Sequence, residues 1–115
     1  MIVSNTTLAR PESLRSAERG ETGGLSGVPL LAPSTEVLRK VRSRVGASAF
    51  IVGAGGIASG ADAYAKIRAG ANVVQLYSAL VFEGPGLVTR IKRELLACLE
   101  RDGLPNIAAA RSRDL

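Results

Sequence analysis

The sequence contains no histidine and no tryptophan. Without histidine, this chain by itself can build neither a histidine-based catalytic triad nor a histidine-containing zinc site. Its single cysteine, Cys98, excludes an internal disulfide framework and fits a reducing compartment. Only two Phe and two Tyr are present, so platforms for stacking nucleobases are scarce. No apolar run approaches the roughly 18 residues of a membrane-spanning helix. No basic segment followed by an apolar stretch opens the chain, so no signal peptide is visible.

What is present is a 115-residue chain with 46% hydrophobic residues, ample for a packed core, and a net charge of +5 from 15 basic and 10 acidic residues. The basic residues are dispersed over apparent helices, as in Arg39, Lys40, Arg42 and Arg44, then Arg90, Lys92 and Arg93. Such dispersal reads as a solvated basic surface, and no nucleic-acid partner is expected.

The pattern predicts strand, loop, helix, strand, helix, strand, helix. "MIVSN" reads as the end of a buried strand. Residues 8–32, punctuated by Pro11, Gly20, Gly23, Gly24, Gly27 and Pro29, form a long irregular loop of the kind that is usually functional. A helix is predicted over 34–45, capped by Ser34 or Thr35, with Val37, Leu38, Val41 and Val45 on its inner face. "AFIV" (49–52) is a short continuous apolar run typical of a strand covered on both sides. A helix over 60–69 should stop at Gly70, and "NVVQLYSAL" (72–80) reads as the next strand. The last helix should start near Pro85 and run to Arg101, with Leu87, Val88, Ile91, Leu95 and Leu99 inward. Residues 104–115 read as a frayed tail. Alternation of this kind indicates parallel β/α units. Three of them fall short of the eight that make a barrel of about 250 residues, so the chain is expected to be the C-terminal part of one.

Three stretches carry chemistry. "GAGGIA" places Gly53, Gly55 and Ala58 in the spacing of a dinucleotide fingerprint. The acidic residue that should hold a ribose about 20 residues later is missing; Val73 to Ser78 stand there. The alternative is phosphate capture at the top of a β/α barrel. Gly55-Gly56 ends one strand, Tyr77-Ser78 ends the next, and backbone N–H groups can converge on an anion. A plain tight turn with a packed Tyr77 explains the same spacing. In "ETGGLSGVPL", Gly23, Gly24 and Gly27 permit close approach to a ligand and Ser26 adds a hydroxyl, or the stretch is a flexible loop. In "SNTT", Asn5, Thr6 and Thr7 offer donors and acceptors suited to a polar, amide-bearing ring. None titrates near neutrality, so they read as recognition groups and not as bases. A turn with self-satisfied side chains is the bland reading. Cys98 reads as packing, and Glu36, Asp62 and Glu83 as acids near helix starts.

In this order and spacing, "VSNTTLARP", "ETGGLSGVPL", "IVGAGGI", "KIRAGANVVQLYSALVFEGPGLV" and "IKREL" resemble the quinone-dependent dihydroorotate dehydrogenases. The resemblance covers nearly the whole chain and weakens after Gly103. It implies a TIM (β/α)8 barrel holding FMN that oxidises dihydroorotate to orotate in pyrimidine biosynthesis and passes electrons to a membrane quinone. On it, this chain supplies the last three barrel strands of a single domain, 1–115. Asn5 and Thr6 match substrate-binding residues and Ser4 lies beside the flavin. Ser26 and Gly27 match a flavin-contacting loop. Gly55, Gly56, Tyr77 and Ser78 match groups that bind the FMN phosphate. The family's catalytic serine base, a flavin-contacting lysine and the membrane-associated helices of the quinone tunnel lie upstream of the matched stretch, so no catalytic residue is expected here. The remainder of the barrel is an expected partner. The full-length protein is expected at the bacterial cytoplasmic face or the mitochondrial inner membrane. The soluble class of the same enzyme, and a non-catalytic phosphate-binding module, are the alternatives.

Overall fold

The computed structural model describes residues 1–18 and 20–115. Three short parallel strands, β1 (Ile2–Val3), β2 (Val52–Ala54) and β3 (Val73–Gln75), form one sheet in that order. Ile2 pairs with Val52, and Val52 with Val73. Helices α1 (Leu31–Val45) and α2 (Gly60–Arg68) provide the two crossovers. They are followed by α3 (Ser78–Glu83), α4 (Gly86–Arg101) and α5 (Ile107–Ala110). Parallel strands need such crossovers because a hairpin turn cannot return the chain in the same direction.

Two apolar clusters hold the elements together. Val3, Leu38, Ile51, Ala69 and Ala71 join the sheet to α1 and the end of α2. Ile57, Tyr64 and Ile67 meet Leu87, Ile91, Leu95, Leu99 and Ala110 in the second. Leu38 and Ile51 are fully buried, and each such side chain contributes on the order of 1.5–3 kcal/mol.

The architecture follows the expectation, and four details differ. Helix α1 starts at Leu31, after a 3-10 turn over Val28–Leu30. Ser34 and Thr35 therefore do not cap it; both hydroxyls donate back to the Leu31 carbonyl. Its buried stripe is Ser34, Leu38 and Arg42, whereas Val37 and Val45 are exposed. Polar side chains took the inward positions because carbonyls at strand and helix ends need donors there. The Arg42 guanidinium donates to the carbonyls of Gly46, Ala49 and Gly70 and to Asn72 Oδ1, which also accepts the Ile51 N–H.

The second strand lies at Val52–Ala54 rather than 49–52, although Asn72 N–H still donates to the Ile51 carbonyl. The third ends at Gln75, and residues 78–80, read as strand, begin α3. A short apolar run is compatible with either state, and the Leu80 N–H to Tyr77 carbonyl bond marks the switch. Glu83 accordingly ends α3 and does not start α4.

The tail is docked and not frayed. Asn106 Oδ1 caps α5 by accepting the Ala109 N–H at 2.9 Å, and Ala110 is fully buried. Ser112 and Asp114 N–H groups donate to the Ile67 and Arg68 carbonyls. Those carbonyls end α2 and have no partner within their own helix.

Candidate functional site

The C-terminal ends of parallel strands present consecutive loops on one side of the sheet. Here those ends surround a cavity of about 660 Å³. Ser4, Asn5 and Thr6 follow β1; Ala54, Gly55 and Gly56 follow β2; Gln75 to Ser78 follow β3. The long loop adds Ser26, Gly27 and Val28 from above. All nine residues singled out in the sequence, Ser4, Asn5, Thr6, Ser26, Gly27, Gly55, Gly56, Tyr77 and Ser78, therefore line one space.

The long loop is fixed by specific contacts. Thr7 and Leu25 exchange backbone hydrogen bonds of 3.0 and 2.6 Å. Arg10 donates to the Glu21 and Gly23 carbonyls. A Cβ on Gly24 would lie 1.7 Å from Thr6 Oγ1, so only glycine lets the loop rest on Thr6. The Ser26 and Ser78 hydroxyls are 3.1 Å apart and join the loop to the end of β3.

The glycine turn after β2 is equally constrained. Gly56 has φ +76°, and a Cβ there would lie 2.4 Å from the Leu31 backbone nitrogen. Among the described residues the Gly56 N–H meets no hydrogen-bond acceptor, whereas the pairing of Ala54 with Gln75 turns the Gly55 N–H toward the Gln75 carbonyl. A free backbone N–H at a cavity wall, in a turn that lets the backbone approach closely, suits an anion. Asn5 Oδ1 accepts the Thr6 N–H at 2.8 Å, so the carbonyl end of this amide is engaged locally. Tyr77 is 78% exposed and, among the described residues, packs against no other part of this chain's core. The acids and bases at the wall are few: Glu83, paired with Arg90 at 3.3 Å, and the Tyr77 phenol. Cys98 is half-buried against the second apolar cluster, away from the cavity.

Sequence reasoning missed three contributors. Phe82 lines the cavity and is 86% exposed; reading residues 78–80 as strand hid its position. Ser34 was read as a cap and lies buried beneath the glycine turn, 3.2 Å from the Gly55 carbonyl. Lys66 drew no reading from the sequence and is fully buried. Its ammonium donates to Ser34 Oγ and to the Ala54 carbonyl at 3.2 Å. Burial lowers its pKa to about 8, against a smaller opposing effect of Asp62.

The family described as dihydroorotate dehydrogenase matches residues 1–99. The chain belongs to that family. The dihydroorotate dehydrogenase (quinone) of Xanthobacter autotrophicus is 62% identical over 115 residues, covering 100% of this chain and 32% of that protein. The corresponding protein of Rhodospirillum rubrum is 51% identical, over 99% of this chain and 31% of its own length. The mitochondrial dihydroorotate dehydrogenase (quinone) of Arabidopsis thaliana is 48% identical, covering 99% of this chain and 25% of that protein. A crystal structure of the Eimeria tenella dihydroorotate dehydrogenase in complex with ferulenol superposes with a TM-score of 0.94 at 45% identity, over 98% of this chain and 30% of that one. The chain thus spans about a third of the length of the bacterial relatives it matches. Its three β/α units correspond to part of a dihydroorotate dehydrogenase barrel.

Proposed function

We propose that this chain provides the FMN-phosphate and dihydroorotate-binding part of a quinone-dependent dihydroorotate dehydrogenase. The observation that carries the reading is the convergence of all nine predicted residues on one cavity at the C-terminal ends of three parallel strands. The relatives named above, all described as the quinone enzyme, support that class over the soluble one.

The residues suit FMN. The free N–H of Gly56, in a turn with no room for a Cβ at that position, matches a phosphate, with Gly55 beside it. The backbone at Tyr77 and Ser78 would complete that pocket, while Ser4, Ser26 and Gly27 would border the ring. The hydride chemistry is what bound FMN supplies. Asn5 and Thr6 would hold the dihydroorotate ring against it through paired amide and hydroxyl contacts, and orotate would leave the same contacts. The wall residues of this chain offer no suitable general base, since Glu83 is held by Arg90. That base, the route to the membrane quinone and the attachment to the membrane are assigned to protein outside these residues. No helix among the described residues is long and apolar enough to cross a membrane.

The test is complementation. The chain is mixed with the part of the Xanthobacter autotrophicus relative that precedes the aligned region, and FMN reduction by dihydroorotate is followed by stopped-flow absorbance. The chain alone should show no reduction at an enzymatic rate, and the mixture should. In the mixture, Asn5→Ala should weaken orotate binding roughly tenfold, the size of one buried hydrogen bond left unmade. Reduction at a normal enzymatic rate by the chain alone, or none by the mixture, refutes the reading.

A further inference from the structure

We infer that Lys66 is a positioning residue for phosphate capture: together with Ser34 it holds the carbonyls of Ala54 and Gly55 to the rear of the glycine turn and places a positive charge behind the anion. The inference rests on the phosphate reading of the cavity above.

Lys66 does not line the cavity and is fully buried, whereas Ala54, Gly55 and Gly56 form its wall. The Lys66 ammonium takes the Ala54 carbonyl, 3.2 Å away, and also donates to Ser34 Oγ. Ser34 Oγ lies 3.2 Å from the Gly55 carbonyl and 3.1 Å from the Leu31 carbonyl, and its one proton serves these two. In a planar trans peptide the C=O of one residue and the N–H of the next point in opposite directions. Drawing the Gly55 carbonyl rearward through Ser34 therefore turns the Gly56 N–H toward the cavity, while Lys66 fixes both Ser34 and the Ala54 carbonyl behind it. Among the described residues the Gly56 N–H lacks an acceptor.

The charge is the second part of the argument. A fully buried ammonium normally has a carboxylate partner. Lys66 has none: its hydrogen-bond partners are a hydroxyl and a carbonyl. Its partners from α1 and β2, the Ser34 hydroxyl and the Ala54 carbonyl, are uncharged. The one charged group that acts on it is Asp62, a turn earlier on α2, whose carboxylate is engaged by the Ala58 N–H. A cation left short of counter-charge, directly behind the glycine turn, is offset when a phosphate occupies that turn. Its lowered pKa agrees with that shortage.

A merely structural lysine would support the turn whatever the ligand; a positioning lysine discriminates by phosphate. FMN and riboflavin differ only in the phosphate, so their relative affinity isolates its contribution. The experiment measures binding of FMN, riboflavin and inorganic phosphate to the chain mixed with the complementary part of the Xanthobacter autotrophicus relative, as wild type, Lys66→Met and Ser34→Ala, by flavin fluorescence and calorimetry. Lys66→Met should weaken FMN about tenfold or more, the worth of hydrogen bonding to a charged group, and leave riboflavin unchanged. Ser34→Ala should lose less. In parallel, the Lys66 ε-methylene resonance of the wild type is titrated with pH by NMR, with and without saturating inorganic phosphate, and its pKa should rise on saturation. An unchanged FMN-over-riboflavin preference in Lys66→Met, or a Lys66 pKa indifferent to bound phosphate, overturns the assignment while leaving the flavin reading intact. Phosphate binding with a Lys66 response but no flavin binding sinks the flavin reading and leaves Lys66 assigned. A wild type that binds neither FMN nor phosphate sinks both.

Discussion

At the scale of single residues, two buried cations define the two ends of the sheet. Arg42 serves carbonyls near the strand starts, and Lys66 serves those at the strand ends. Both pKa values are lowered by burial, but only that of Lys66 falls within an accessible range. With its folded pKa near 8 and its ordinary value of 10.5, the unfolded chain binds more protons than the folded one between those two pH values. Stability should therefore rise as pH goes from about 8 to about 10.5. Urea unfolding at a series of pH values should show this rise in the wild type and not in Lys66→Met. Gly56 makes a second prediction. A methyl group there meets the Leu31 backbone at a left-handed φ, and strain of this kind costs about 1–3 kcal/mol. Gly56→Ala should lower the thermal midpoint and abolish FMN preference over riboflavin, read by differential scanning fluorimetry and flavin fluorescence.

Among elements, the packing of α2 against α4 is closed by a polar cluster at one end. The Tyr64 hydroxyl donates to Asp102 Oδ2 at 2.6 Å, and Arg101 donates to Asp102 Oδ1 at 3.0 Å. Arg68 bridges Asp102 and Asp114, and the Arg68 and Arg101 guanidinium groups lie 5.7 and 5.9 Å from the Tyr64 ring centre. The hydrogen bonds from Arg101 and Tyr64 hold the Asp102 carboxyl down at about 2, against an ordinary 3.8. This is the depressed-carboxylate case. The stabilisation is present above pH 3.8 and lost as pH falls through about 2. Acid titration of stability should show a smaller loss in that window for Asp102→Asn. Removing residues 107–115 uncovers the Arg68 carbonyl, takes one of two donors from that of Ile67 and empties the Ala110 position, at an expected cost of about 1–3 kcal/mol in urea unfolding.

How far the sequence disclosed these elements follows from the kind of signal each one carries. The stripe Leu87, Ile91, Leu95, Leu99 repeats every four residues and made α4 legible. Gly55 and Gly56 marked the cavity wall, and Gly24 the place where the long loop rests on Thr6, because backbone approach needs residues without a side chain. The inward face of α1 was not legible, since Ser34 and Arg42 occupy it for the sake of carbonyls elsewhere in the chain. Helix α3 was hidden because five apolar or small residues in a row suit either state. The tail was hidden because its anchors, Ser112 and Asp114, act through backbone N–H groups that every residue type shares.

As a whole molecule, the chain exposes 7073 Å². A compact protein of 11.9 kDa would expose roughly 5,900 Å². The Cα radius of gyration is 14.5 Å, against about 13.4 Å for a compact domain of this length. The excess includes bare apolar side chains on or beside the strands, such as Ile2, Phe50 and Val73, and others on α3, Val81 and Phe82. Strands β1 and β3 each pair on one side only among the described residues, and open edges promote association. The purified chain should therefore run above 11.9 kDa in size-exclusion chromatography with light scattering, and the complementary part of a relative should convert it to a defined complex. A sharply melting monomer would contradict this. At the rim of the same molecule, the Thr7–Leu25 pairing brings the start and finish of a long excursion within two hydrogen bonds of each other. The excursion is thus a side branch whose length the rest of the protein barely senses, because doubling such a loop costs only about 0.6 kcal/mol. Its outermost part, around Ser16, is where an epitope or a fluorescent reporter can be spliced in without disturbing the cavity it borders.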